Sequence, residues 1–304
     1  MGPSWRSTHW ESTRSAGPLS PAFHHGRIRI VSELVFLKLG GSLITDKGQR
    51  YTVRLKRLAE LANEIHTALS ESPDLKLILG HGSGSFGHYA VQEHMPQRSA
   101  PARYGAALEE RAYWAGYAEV WYRASELNRY VMDALHVAGI PSISLAPSAT
   151  VQASKGRISH WDLTSMRSAI DSGLTPVIFG DIAFDSVTGS SVLSTETLMI
   201  HLAPLLQPGR ILLAGMEAAV WKDYPTRKEP IQSITPSGYP ALGTVLGGSH
   251  GTDVTGGMRT KVEDMLALTA ALPEVSIRIF SGEIQGNVKA ALAGKALGTL
   301  ISSD

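Results

Sequence analysis

Apolar residues fall along this chain in short unbroken runs that alternate with longer stretches of helical spacing. From Glu33, the run LVFLKLG ends on Gly-Gly-Ser, the pattern of a buried strand turning out of a sheet. YTVRLKRLAELANEIHTALSES then spaces Leu55, Leu58, Ala59, Ala62, Ile65 and Leu69 at helical intervals, and LKLILG follows as a second buried strand. HGSGSFGH leads into a long, mostly helical stretch through Glu109 to Val137, after which IPSISLAP and LTPVIFGD predict further strands. In the second half, VLSTETLMIHLAPLL reads as a helix, RILLAG as a strand, GGMRTKVEDMLALTAAL as a glycine-led helix and SIRIFSG as a strand. NVKAALAGK predicts a short helix capped by Asn287, before a last strand in TLIS. The stretch from Trp221 to His250, rich in Pro, Gly, Ser and Thr, predicts an excursion of short strands and loops. The alternation defines an α/β fold with a mostly parallel central sheet sandwiched by helices.

Residues 1–32 carry neither periodicity and predict a flexible N-terminal extension ahead of a single domain spanning residues 33–304. Their basic start lacks the apolar stretch of a signal peptide, and the adjacent His24 and His25 read as solvated side chains rather than a metal site. The chain of 304 residues carries 28 basic and 27 acidic side chains, a formal net charge of +1, so no strong field favours nucleic acid or an anionic membrane. The lack of cysteine removes disulfides, thiolate nucleophiles and Cys-type metal sites, and fits a cytoplasmic setting. No apolar run approaches the ~18 residues of a membrane span.

Two motifs point to chemistry that their contexts refuse. Gly82, Gly84 and Gly87 satisfy G-x-G-x-x-G, but the acidic residue that a dinucleotide site needs about twenty residues on is absent; Glu109 and Glu110 lie in a helical segment. Gly247, Ser249 and Gly251 match G-x-S-x-G, but inside a loop rather than on a strand-to-helix elbow. What remains is two glycine-rich strand-to-helix loops, Gly40-Gly41-Ser42 and His81 to His88, at the ends of adjacent parallel strands. Such loops hold phosphate groups with backbone N–H donors, and two side by side suit phosphoryl transfer between two phosphates. The repelling phosphates need positive charge, for which Lys38, Lys47 and Lys261 are the candidates; His88 can donate a hydrogen bond to the acceptor. Singly, each has a plainer reading: Gly-Gly as a turn, Lys47 as a solvated charge, His88 as a helix cap. Three such sites in strand-loop-helix context favour the phosphate reading.

KLGGSLITDK, LGHGSGSFGH and DVTGGMRTKV, in this order and spacing, resemble the three motifs of the amino acid kinase superfamily and, within it, of the isopentenyl phosphate kinases. The resemblance runs from about Leu34 to the end of the chain. It implies an amino acid kinase-like α/β/α fold, with an acceptor-binding lobe at 33–183 and a nucleotide-binding lobe at 184–304. It implies ATP with Mg2+ as donor, an isoprenoid monophosphate (isopentenyl phosphate) as acceptor and a homodimer. Lys38, Gly40, Gly41, Ser42, Gly84, Gly257 and Lys261 would bind the nucleotide, and Ser83, His88 and Gly180 the acceptor. Lys38, Lys47, Lys261 and His88 would carry the catalysis, with no protein ligand to a metal. Asp181 and Glu196 are candidate carboxylates for organising the lysines; relatives often have Asp at the position of Glu196, and Gly or Ala where Ser83 stands. AGMEAAVWKDYP resembles the nucleotide-contacting strand end, with its acidic and glycine residues partly replaced. Helical spacing places Trp114, Tyr117, Trp121 and Tyr122 close to one face, with Tyr113 beside them, a stripe that by itself reads as core or dimer contact; the resemblance implies instead an isoprenoid-tail pocket beside this helix. The alternatives are a kinase for another phosphate, a fosfomycin-like phosphonate or a carboxylate, and a non-catalytic nucleotide sensor.

Overall fold

The computed structural model describes residues 33–95, 107–242 and 257–304. The chain starts with β1 (Leu34–Leu39), α1 (Gly41–Ile44), α2 (Leu55–Glu71), β2 (Lys76–His81), α3 (Gly84–His94), α4 (Ala107–Val137) and β3 (Ser142–Ser144). It continues through α5 (Pro147–Thr150), β4 (Val151–Ser154), β5 (Arg157–Trp161), α6 (Thr164–Asp171), β6 (Thr175–Phe179), β7 (Asp181–Asp185) and β8 (Gly189–Leu193). Then come α7 (Thr195–Leu206), β9 (Arg210–Gly215), β10 (Val220–Trp221), β11 (Pro230–Ile231), β12 (Ser233–Ile234) and α8 (Tyr239–Leu242). The last elements are α9 (Gly257–Ala271), β13 (Ser276–Ser281), α10 (Asn287–Leu292) and β14 (Thr299–Ile301). The N-terminal extension, and the G-x-S-x-G match at Gly247 to Gly251, lie outside the described residues.

Eight strands form the central sheet in the order β12-β14-β13-β9-β1-β2-β6-β3, parallel throughout except for the β13–β14 pair. The near-continuous apolar strands follow from burial of both faces. Along β1, Val35, Leu37 and Leu39 enter one core with α2, α4 and α10, while Phe36 enters the opposite core with α6, α7 and α9. Because side chains alternate along a strand, Lys38 shares the face of Phe36 and is turned towards α7 and α9.

A second sheet, β5-β4-β7-β8, is built from two hairpins that the apolar pattern does not announce. Asp185 ties them together. Its carboxylate accepts from Lys155 N (3.1 Å) and Gly156 N (2.8 Å) in one hairpin, and from Val187 N (2.9 Å), Thr188 N (3.0 Å) and Ser191 Oγ (2.7 Å) in the other. From Val220 to Leu242 the structure holds three two-residue strands and a single helical turn, the excursion expected there, whose last part to His250 lies outside the described residues.

Two expectations need correction. Asn287 does not cap α10: Gly286, in the left-handed region at φ 85°, holds that position, and Asn287 Nδ2 instead donates to Ser281 O at 2.9 Å. Trp121 and Tyr122 do not belong to the buried aromatic face of α4, since they are 43% and 51% exposed. The buried stripe runs through Tyr113, Tyr117, Val120, Ala124, Leu127 and Val131 instead.

Candidate active site

In open parallel sheets, ligands sit beyond the carboxyl ends of the strands, where the winding order reverses. Here β1 lies between β2 on one side and β9 on the other, so the crevice opens above its end. Each strand end there is prolonged by a glycine bonded to its neighbour: Gly40 N to Ala214 O (2.8 Å), Gly82 N to Leu39 O (2.9 Å), Gly180 N to His81 O (3.0 Å) and Gly282 N to Gly215 O (2.8 Å). The first two loops touch through bare backbone. A Cβ on Gly41 would stand 2.5 Å from Gly84 N, and one on Gly84 would stand 2.2 Å from Thr45 Oγ1. Gly84 also has φ +51°, a conformation that a side chain strains.

Thr45, which sequence reasoning passed over, joins the two loops. Its hydroxyl donates to Gly41 O (2.8 Å) and accepts from Ser85 N (3.0 Å), taking up one of the first amides of α3. Its signal was only a Thr four residues after the Gly-Gly turn. Arg54 supports the same loop by donating to Leu43 O (3.2 Å) and pairing with Glu283 (2.5 Å) from beyond β13.

The charges converge from three elements. Lys38 at the end of β1 and Lys261 near the start of α9 both pair with Glu196 Oε1 in the first turn of α7, Lys261 at 3.3 Å. Ser194 caps α7, accepting from Thr197 N at 3.0 Å, and so fixes the turn that carries Glu196. Burial pushes the Glu196 carboxyl up, but the Lys38 and Lys261 charges outweigh it and hold it down at about 2. Asp264, one turn beyond Lys261 and also unforeseen, has its carboxyl raised by burial and by the charge of Glu196. Gly257 opens α9 at φ +70°.

On the other side of the crevice, Ser83 stands at the mouth of α3, where its hydroxyl lies over Gly87; a Cβ on Gly87 would be 2.2 Å from Ser83 Oγ. His88 follows on the same helix and is half-buried. A Cβ on Gly180 would lie 3.4 Å from Ser83 N, so this glycine keeps the space beside Ser83 narrow but open. Lys47 is exposed, and its carbonyl accepts from Tyr89 Oη at 3.4 Å, which lays the Lys47 loop against the helix of His88. Asp181 is buried and accepts from Ser148 N (3.0 Å) and Ile182 N (2.8 Å); burial raises its carboxyl despite these bonds.

Beyond α3 lies an aromatic cluster in which Tyr117 stacks on Phe184 at 4.8 Å and Trp114 approaches Phe184 at 5.9 Å. Ala90, Met95, Val120 and Ile182 complete it. In the AGMEAAVWKDYP segment, Glu217 accepts from Trp221 Nε1 (2.9 Å) and from Arg227 Nη2 (2.8 Å), so that strand end carries an internally paired carboxylate.

Glycine loops in contact at a switch point, with two lysines gathered on one carboxylate at the rim, define a phosphotransferase of the α/β class. The chain belongs to the amino acid kinase family, whose model matches residues 33–281, and within it to the isopentenyl phosphate kinases. It is 34% identical over 277 residues to the isopentenyl phosphate kinase of Methanothermobacter thermautotrophicus, covering 88% of this chain and 99% of that protein. It is 30% identical over 272 residues to that of Methanocaldococcus jannaschii, covering 88% and 98%. A solved isopentenyl phosphate kinase structure shares the fold with a TM-score of 0.73 at 30% identity, covering 88% of this chain and 100% of that one. The structure of an isopentenyl phosphate kinase substrate complex superposes with a TM-score of 0.68 at 23% identity.

Proposed function

We propose that this enzyme transfers the γ-phosphoryl group of Mg-ATP to isopentenyl phosphate, giving isopentenyl diphosphate and ADP. The observation that carries the reading is the sharing of Glu196 by Lys38 and Lys261 at the rim of two glycine loops that meet without a side chain between them. On this reading residues 33–183 hold the acceptor and residues 184–304 the nucleotide. Gly40, Gly41, Ser42, Gly84 and Gly257 offer backbone to the nucleotide phosphates, while Lys38 and Lys261 supply charge. Ser83 and His88 receive the acceptor phosphate, with Gly180 leaving room for it and Lys47 approaching from the loop above.

The chemistry is a direct in-line displacement. An oxygen of the acceptor phosphate attacks the γ-phosphorus as the bond to the β–γ bridging oxygen breaks, and ADP leaves with the electron pair. The attacking oxygen is already ionised, so no general base is required. The barrier is electrostatic: at an effective dielectric of about 20, each pair of like charges ~4 Å apart costs ~4 kcal/mol. The lysines and the His88 N–H lower that cost. Among the described residues no group of three or more His, Cys, Asp or Glu is placed to hold a metal ion. On this reading Mg2+ would come with the nucleotide, held by its phosphates and water, as this ion is usually bound.

The acceptor's apolar tail fits the cluster of Tyr113, Trp114, Tyr117 and Phe184 beside α3, where each buried CH2 contributes ~0.8 kcal/mol. No helix among the described residues is long and apolar enough to cross a membrane. A cytoplasmic setting and the homodimer of the family belong to the same reading. The test is an acceptor panel with Mg-ATP: isopentenyl phosphate, longer isoprenoid monophosphates, fosfomycin and a carboxylate. Isopentenyl phosphate should give the highest specificity constant. ADP release no faster than in the control without acceptor would remove the reading.

A further inference from the structure

His81 ends β2, directly before the glycine loop, and is fully buried. Its cross-strand neighbours are Leu39 on β1 and Phe179 on β6, so the position suits an apolar side chain. A buried polar ring there is costly unless both its nitrogens find partners. Both face an oxygen: Nδ1 lies 3.2 Å from Gly82 O, and Nε2 lies 3.2 Å from Asn128 Oδ1 on α4, whose Nδ2 lies 2.8 Å from Ser144 Oγ on β3. The ring also stacks on Phe179 at 5.4 Å, with planes 9° apart. Its own carbonyl is held by Gly180 N (3.0 Å) and Thr195 Oγ1 (2.6 Å).

The proton count identifies which contact matters. Burial pushes the imidazole down to about 4, so the ring is neutral and carries one proton. Gly82 O can only accept, so that contact is a hydrogen bond only if Nδ1 holds the proton. Nε2 can then only accept, so the Asn128 amide, placed with Oδ1 towards Nε2 and Nδ2 towards Ser144 Oγ, is assigned turned over: its NH2 donates to Nε2 and its oxygen takes the Ser144 hydroxyl, a rotation open to an amide and not to the Gly82 carbonyl. The other tautomer would leave two lone pairs facing each other at 3.2 Å.

We propose that His81 is a positioning residue for phosphoryl transfer: its Nδ1–H fixes the Gly82 carbonyl, and with it the Gly82–Ser83–Gly84 turn that presents Ser83 and His88 to the acceptor phosphate. The proposal rests on the functional reading above for what the turn receives, but not for how the turn is held. The chain from Ser144 through Asn128 and His81 to Gly82 anchors that turn to β3 and α4, elements that carry none of the phosphate contacts assigned above.

Three measurements test it. In the wild-type protein, long-range 1H–15N correlation of the His81 imidazole should show the Nδ1–H tautomer; an Nε2–H ring overturns the proposal. The second compares His81→Asn, whose amide reaches the Nδ1 position, with His81→Gln, whose amide reaches only Nε2. Hydrogen exchange at residues 82–85 should quicken about tenfold in His81→Gln and stay near wild type in His81→Asn. Equal rates in all three proteins, or equal acceleration in both variants, would assign His81 to packing alone. In turnover, His81→Gln should lose about tenfold or more in kcat with KM for ATP within about twofold, and His81→Asn should recover most of it. A wild-type protein that phosphorylates no acceptor would sink the functional reading, while the tautomer and exchange measurements would still decide the role of His81.

Discussion

Lys261 Nζ lies 3.3 Å from Glu196 Oε1, the same oxygen that pairs with Lys38. Three elements far apart in the chain thus meet on one atom, and the carboxylate offsets the repulsion of two ammonium groups before any phosphate arrives. Glu196→Gln should therefore destabilise the nucleotide-free protein by about 3 kcal/mol, because the lysines lose their common counter-charge. Saturating Mg-ATP should restore most of that loss, since its phosphates take over the role. The pH dependence has a definite sign: the folded carboxyl titrates at about 2, below its ordinary value near 4.5. Its contribution is complete above pH ~4.5 and lost as pH falls towards 2. Thermal denaturation with and without nucleotide reads both effects, and a variant as stable as wild type without ATP would contradict the first.

The contact of Gly41 with Gly84 leaves no space for a methyl group. A Cβ at Gly41 would meet backbone nitrogen at 2.5 Å, and neither loop can yield without moving residues assigned to the phosphates. Gly41→Ala should lower kcat about a hundredfold while costing ~1–3 kcal/mol of stability. Activity near wild type would mean that the loops move apart freely and that their contact is incidental.

The large sheet and its helices are legible in the sequence because strands buried on both faces read as apolar runs and their crossover helices keep helical spacing. The second sheet is not. Val151–Trp161 and Asp181–Leu193 carry too few apolar positions in too short an alternation, and the group that unites them is the single carboxylate of Asp185, whose five donors are mostly backbone. The glycine loops, Lys38 and Lys261 stand out because glycine and charge at strand ends are rare without cause; His88 stands out as the end of the second glycine string, and Ser83 only through the family resemblance. Thr45 and Asn128 do not, because their value lies in partners on other elements. The aromatic helix misleads by composition: Trp121 lies four residues beyond Tyr117, yet is 43% exposed because Val120 and Ala124 carry the buried stripe onward.

Asp185 makes the acid behaviour of the second sheet predictable. Burial pushes its carboxyl up, but the N–H groups of Gly156, Thr188 and Val187 and the Ser191 hydroxyl outweigh it and hold it well below the usual carboxylate range. A depressed carboxyl stabilises the fold above its unfolded value near 4, and that contribution fades as pH falls below it. Asp185→Asn replaces an acceptor oxygen with an NH2 facing N–H donors, so it should lower the melting temperature at pH 7 by roughly 3–6 °C. At pH 3 the gap between variant and wild type should narrow. A gap that does not change with pH would show that the carboxylate charge is not what the donors require.

His88 carries the narrowest part of the functional reading, because on that reading it is the residue that distinguishes an acceptor phosphate from other acceptors. It lies on α3 beyond Gly87, whose N–H closes the first turn on Ser83 O at 3.0 Å, so its backbone is set by the same turn that presents Ser83. On the proposed mechanism its N–H meets the acceptor phosphate as charge builds between the two phosphoryl groups, a contact that strengthens in the transition state and is absent from bound ATP alone. His88→Ala should therefore lower kcat by about 10²–10³-fold, the scale of removing one preorganised donor, with the ATP dissociation constant within about threefold. His88 is only half-buried, so its loss should lower the melting temperature less than truncation of a core side chain would. Single-turnover kinetics alongside calorimetric ATP binding separate the two quantities. Equal losses in transfer and in ATP affinity would place His88 in the nucleotide pocket or the helix scaffold, and would withdraw its part in recognising the acceptor.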